Sequence, residues 1–181
     1  MTKEQKSRVN ELMKQLVEGN DSALDELVKI MSMSLTKFVK HYIFDNESAR
    51  EAINEIYYEI YNNLYKIDNF ENCYAWIMRT AMNVIRNKRR VDGRVSYDRI
   101  LEHVTKYDSE TLTTKQPSLD MDYTLKALDQ LKRDIVYQHC AQNLTLNELV
   151  IMFEIPFEKM KKLYAEGIKE LKEEYFKSDK I

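Results

Sequence analysis

The 181 residues include only three glycines and two prolines, with 44% hydrophobic and 32% charged side chains. That balance suits a soluble all-helical protein, and no apolar stretch approaches the ~20 residues a membrane-spanning helix needs. The net charge of −2 argues against a protein that coats DNA regardless of sequence, but leaves room for a local basic stripe or for a larger partner that carries the chain to DNA.

No secretory signal is visible at the N-terminus, so a cytoplasmic location is expected, without membrane insertion. The two cysteines, Cys73 and Cys140, lack CxxC spacing and read as reduced thiols rather than a bridge or a metal site. His41, His103 and His139 are scattered, and no glycine-rich loop cradles a phosphate. No catalytic residue, metal site or cofactor is expected.

Residues 3–18 place Val9, Leu12, Met13 and Leu16 at helical spacing. Gly19 stops this helix, and Asn20 or Asp21 is expected to cap the next. The second helix spans about 22–42 with an apolar stripe of Leu24, Leu27, Val28, Met31, Leu35, Phe38, Val39 and Tyr42. A turn follows at 44–48.

The third helix, about 48–65, has the clearest period. Ile53, Ile56, Tyr57, Ile60, Tyr61 and Leu64 are expected to be buried. Glu51, Asn54, Glu55, Tyr58 and Glu59 form an acidic, aromatic outer surface that reads either as solvated or as a docking face for a basic partner helix. A loop then carries Asp68, Asn69 and Phe70.

The stretch 73–90 is predicted as one helix with two faces. Trp76, Ile77, Ala81, Val84 and Ile85 point inward. Arg79, Asn83, Arg86 and Arg90 form a stripe on the other side, with Asn87 beside it. Guanidinium groups fork onto phosphates, amides read base edges, and aromatic rings stack on unpaired bases. A solvated face on a core helix gives the same pattern.

From 95 to 120 the periodicity is lost, and the stretch reads as a linker separating two domains. The domains are therefore 1–94 and 121–181. In the second, Leu125, Leu128, Leu131, Ile135 and Val136 mark a helix. Thr145 and Glu148 form a capping box that opens another. After Pro156, a last long helix carries Phe157, Met160, Leu163, Tyr164, Ile168 and Leu171 inward. Helix, tight turn and longer helix make a generic helix-turn-helix pattern that any three-helix bundle also produces.

With both halves in view, the chain resembles the sigma-70 family of bacterial RNA polymerase sigma factors, and within it the small extracytoplasmic-function type. The stretch AREAINEIYYEIY at 49–61 resembles the polymerase-docking helix. WIMRTAMNVIRNKRR at 76–90 resembles the promoter-melting helix, with Trp76, Arg79, Ala81 and Asn83 at matching positions. NLTLNELVIMFEIPFEKMKKL at 143–163 resembles the C-terminal helix-turn-helix. Asn87 stands where the family commonly has aspartate, and Glu154 where a turn glycine is common. Leu163 and Glu166 stand where it usually has arginines.

The resemblance implies an all-α fold of two small helical domains joined by a flexible linker, and the partners core RNA polymerase and promoter DNA. An anti-sigma factor is a further partner the resemblance allows. By the same resemblance, Glu51, Asn54, Glu55, Tyr58 and Glu59 would bind polymerase. Asp68, Asn69, Phe70, Trp76, Arg79, Asn83, Arg86, Asn87 and Arg90 would hold the minus-ten element, while Thr145, Lys159, Lys161 and Lys162 would contact the minus-thirty-five element. Two other readings are a sigma-like regulator that does not initiate, motivated by the acidic last helix, and a helical interaction protein with no nucleic-acid role, motivated by the net charge.

Overall fold

A computed structural model describes residues 1–92 and 128–178, without the side chains of 89–92 and 176–178. The expected linker at 95–120, Leu125 and the Arg90 side chain lie outside the described residues. Seven α-helices and two short 3-10 turns make up the described structure, with no strand among the described residues. The chain divides into two compact units, one of residues 1–94 with 151–154, the other of residues 95–150 with 155–181.

The first unit is built on α1 (Lys3–Val17), α2 (Ala23–Tyr42), α3 (Asn46–Asn62) and α4 (Cys73–Asp92), with 3-10 turns at Leu64–Lys66 and Phe70–Asn72. Helix α1 opens on a capping box between Thr2 and Gln5. Gly19 takes φ +89, a left-handed backbone that ends the helix. The N-cap of α2 is Ser22, not Asn20 or Asp21, and it makes no side-chain capping bond. Asp45 caps α3 by accepting a hydrogen bond from the Ser48 N–H at 2.7 Å.

Val9, Leu12, Met13 and Leu16 of α1 are buried as their spacing requires. They meet Leu27, Met31, Leu35, Phe38, Val39 and Tyr42 of α2, while Leu24 and Val28 are only half-buried. Helix α4 adds Tyr74, Ile77, Met78, Ala81 and Ile85 to the core. The Tyr74 hydroxyl is hydrogen-bonded to Ser34 Oγ at 2.9 Å, which satisfies both polar ends.

The buried face of α3 differs from the expected one. Ala49, Ala52, Ile56 and Ile60 form it, and Ile53, Tyr57 and Leu64 are half-buried. Tyr61 is 45% exposed and donates a hydrogen bond to Asp21 Oδ1 at 3.1 Å. Small alanines allow α3 to come close to its neighbours, which rotates the face away from the larger side chains. The Tyr57 hydroxyl donates to the Val28 carbonyl, and burial pushes it up to about 12.

Both thiols are unbridged. Cys73 is buried, and desolvation pushes it up to about 12, so it stays a thiol at neutral pH.

The second unit contains α5 (Gln130–Gln142), most of α6 (Leu146–Phe153) and all of α7 (Phe157–Ser178). Asp129 caps α5 by accepting from the Leu131 and Lys132 N–H groups. The Thr145–Glu148 capping box forms: Glu148 N–H donates to Thr145 Oγ1 at 3.2 Å, and Thr145 N–H donates to Glu148 Oε2 at 2.7 Å. Asn143 and Glu154 both take φ 55. Asn tolerates that conformation, whereas Glu there costs about 1 kcal/mol relative to glycine.

Helices α5 and α7 pack through Leu128 and Val136 against Tyr164, Ile168 and Leu171. Gly167 faces α5, where a Cβ would lie 2.9 Å from Val136 Cγ2. Met160 is buried, but Phe157, expected inward, is 43% exposed.

Acidification tests how the first unit is held. The Ser48 N–H and hydroxyl beside Asp45 hold its carboxyl below the usual range, and Arg8 does the same to Glu26 through bonds of 2.8 and 2.6 Å. A depressed carboxylate stabilises the fold above its unfolded pKa, and that stability is lost as pH falls through the folded value. The urea midpoint is therefore expected to drop as pH is lowered through the carboxylate range. Asp45→Asn keeps a capping side chain and should flatten the drop.

Candidate nucleic-acid and polymerase interface

A groove of about 430 Å³ opens between α3 and α4 in the first unit. Glu55, Glu59, Asn63 and Lys66 line one wall, and Trp76, Arg79, Thr80, Asn83, Val84 and Asn87 line the other. The helical step accounts for the second wall, because positions 76, 79/80, 83 and 87 repeat every three or four residues along one side of α4. Trp76 is half-buried rather than packed inward, and Asn83 and Asn87 are exposed. An indole face, three amides and two cations thus converge on one cleft, a combination suited to a flat heteroaromatic ligand with a charged backbone.

Two of the arginines are engaged within this unit. Arg79 Nη2 lies 2.5 Å from Glu154 Oε1, and the Arg86 guanidinium lies 6.0 Å from the Phe153 ring centre. The Arg79 side chain is 38% exposed and that of Glu154 66%, so this ion pair is weak and exchangeable for a phosphate. Arg86 is exposed but does not line the groove.

The expected docking set divides in two. Glu51, Asn54 and Tyr58 are exposed on the outer face of α3, with Tyr58 66% exposed. Glu55 and Glu59 instead turn toward α4 and line the groove. Lys88 on α4 lies 3.0 Å from Glu55 Oε2 and 3.9 Å from Glu51 Oε2. Asn63 Nδ2 donates to Glu59 Oε2 at 2.9 Å and to the Glu59 carbonyl at 2.7 Å. One wall of the groove therefore carries fixed carboxylates that oppose phosphate and accept from amino groups.

The loop before α4 is tied down from α1. Asn10 Nδ2 donates to the Glu71 carbonyl at 2.9 Å, and the Cys73 N–H donates to Asn10 Oδ1 at 3.1 Å. Asn69 Oδ1 accepts from the Glu71 N–H at 2.7 Å, closing a tight turn. Asp68 and Asn69 are exposed and Phe70 is half-buried. Asn10→Ala removes both clamps and should lower stability by about 1–2 kcal/mol. Hydrogen exchange should rise at residues 68–73 before it rises elsewhere.

Asn10, Asn63, Lys66, Thr80 and Lys88 were not expected at this site. A single polar residue at the edge of an amphipathic helix, as Asn10 is, carries no periodic signal. Lys88 was readable only as part of a basic run.

In the second unit, Lys159, Lys161 and Lys162 are all exposed on α7, with Lys162 77% exposed. Thr145 is also exposed, but its hydroxyl is committed to the capping box. Lys132 of α5 is 16% exposed and lies 2.6 Å from Glu170 and 3.6 Å from Glu166. Those two glutamates are thus turned toward α5, and pairing with Glu170 and then Asp129 raises Lys132 above its ordinary value. The outward side of α7 keeps Lys161, Lys162, Lys169 and Lys172, set among Glu158 and Glu173.

No helix among the described residues is long and apolar enough to cross a membrane. No group of three or more His, Cys, Asp or Glu side chains among them is placed to hold a metal ion.

No protein-family model and no curated protein matches the chain. Among solved structures, it is similar to CnrH in the complex of CnrH with the cytosolic domain of CnrY. The similarity covers 91% of this chain and 95% of CnrH, at 15% identity and a TM-score of 0.67. The chain thus has an all-α fold like that of CnrH.

Proposed function

We propose that this protein is a sigma factor that binds core RNA polymerase and directs promoter-specific initiation. The carrying observation is the groove between α3 and α4, where Trp76, Arg79, Asn83 and Asn87 converge on the side that the family resemblance associates with promoter melting. A fold shared with CnrH, itself a sigma factor of extracytoplasmic-function type, supports the reading.

In this reading the outer face of α3, with Glu51, Asn54 and Tyr58, grips a basic helix of polymerase. Arg79 and Arg86 hold the backbone of a separated strand. Trp76 stacks on an extruded base, and the asparagines read its edge. Unstacking costs a few kcal/mol, offset by stacking and edge contacts. Lys159, Lys161 and Lys162 position α7 on an upstream duplex element through phosphates. The protein works in the cytoplasm, and a partner resembling the cytosolic domain bound to CnrH holds it in check.

Glu166 and Glu170 face Lys132, which weakens the argument for a regulator that does not initiate. The test is gel filtration of the chain with bacterial core polymerase, followed by run-off transcription from its neighbouring promoter. Co-elution and initiation without another sigma factor are expected. Failure to co-elute at micromolar concentration refutes the proposal. Co-elution without initiation leaves the non-initiating regulator.

A further inference from the structure

Two outward faces of the first unit have opposite charge and matching length. On α2, Lys29, Met33, Lys37 and Lys40 are all exposed, spaced four, four and three residues apart on one side. Met33 is 70% exposed, a large apolar surface between lysines. On α3, Glu47, Glu51, Asn54 and Tyr58 are all exposed, spaced four, three and four. Each row runs eleven residue steps from end to end, about 16 Å of helix.

We infer that these two faces bind each other between copies of the chain. Laid antiparallel, Glu47 meets Lys40 and Glu51 meets Lys37. Asn54 meets Met33, and Tyr58 reaches Lys29 with its ring face and Met33 with its edge, contacts both partners favour. A parallel arrangement retains only the Glu47–Lys29 ion pair and sets Glu51 against Met33. Lys88 does not saturate Glu51: they are 3.9 Å apart and the glutamate is 67% exposed.

The two patches are different, so the contact is heterologous and each copy keeps one face of each kind to offer. The association is therefore open-ended, weak and salt-sensitive, because exposed ion pairs are screened. It covers Glu51, Asn54 and Tyr58, so on the reading proposed above, a docked copy excludes polymerase. The self-association itself requires no polymerase and is tested without it.

Sedimentation velocity of the full chain from about 10 to about 500 μM reads this directly. At about 50 mM salt the weight-average mass is expected to rise with concentration, and at about 500 mM it should return to monomer. Lys37→Glu with Lys40→Glu should weaken association at least about tenfold, and so should Glu47→Lys with Glu51→Lys. Both pairs are exposed, and circular dichroism checks that each variant stays folded. Mixing the two double variants pairs the acidic α2 face of one with the basic α3 face of the other, and their untouched α3 and α2 faces with each other, and should restore concentration-dependent growth that neither variant shows alone. A wild-type chain that stays monomeric throughout, an association that ignores either charge reversal, or a mixture that stays monomeric overturns the inference.

Discussion

Trp76→Ala is expected to cut promoter opening by roughly 5- to 150-fold while leaving polymerase binding unchanged. The indole lines the groove and is only half-buried, so its removal takes away a stacking surface with limited damage to the core. Stacking of a base on an aromatic ring is worth about 1–3 kcal/mol, which sets that range. Fluorescence of 2-aminopurine in the minus-ten region measures opening, and co-elution measures binding. Trp76→Phe should recover part of the loss, since a smaller ring still stacks. If Trp76→Ala opened promoters at the wild-type rate, the groove would have no part in melting.

Gly167→Ala should destabilise the second unit by about 1–3 kcal/mol, against the usual trend. Alanine in place of glycine inside a helix ordinarily stabilises by up to ~1 kcal/mol, through lower unfolded-state entropy and better propensity. Here the new methyl would stand 2.9 Å from Val136 Cγ2, and Val136 is 2% exposed. A stiff β-branched side chain in a packed interface cannot swing away, so α7 must be pushed off α5. Tyr164, Ile168 and Leu171 would lose contact with Leu128 and Val136. Urea unfolding followed by circular dichroism gives the change. Val136→Ala on the Gly167→Ala background should restore part of it by making room, and an additive double variant would show that the clash does not exist.

The helices themselves were legible because their caps are local. Thr145 and Glu148 announce a helix start in four residues, and the structure forms that box. Gly19 ends α1 where its freedom at φ +89 is needed. The face of α3 was not legible, because hydrophobic periodicity weighs side chains by size. Ala49 and Ala52 carry the packing there precisely by being small, so Tyr61 looked like core and is exposed.

Helix α5 hid its interior for a related reason. Arg133, Asp134, Gln138 and Gln142 are buried in it, and charged or amide residues read as surface in any pattern. The carbonyl of Leu128 accepts from Arg133 Nη2 at 2.9 Å, a partner that spacing alone does not reveal.

The groove was half legible. Arg79, Asn83 and Asn87 share one side of a helix, which counting finds, whereas Trp76 was expected inward and instead lines the cleft beside them. The opposite wall depends on which way α3 is rolled, so Glu55 and Glu59 were expected on an outward surface and instead face α4. The placement of Asn10 against Glu71 and Cys73 joins positions more than sixty apart and had no precursor in the one-dimensional pattern.

That clasp couples the opening helix to the loop before the groove. Whatever frays α1 also slackens the turn that precedes α4, although no residue of α1 lines the cleft itself. If the proposed function holds, mechanical load or a bulky fusion applied near Lys3 would therefore weaken promoter choice at a distance, leaving Trp76 and Arg79 chemically intact but no longer held at the same spacing.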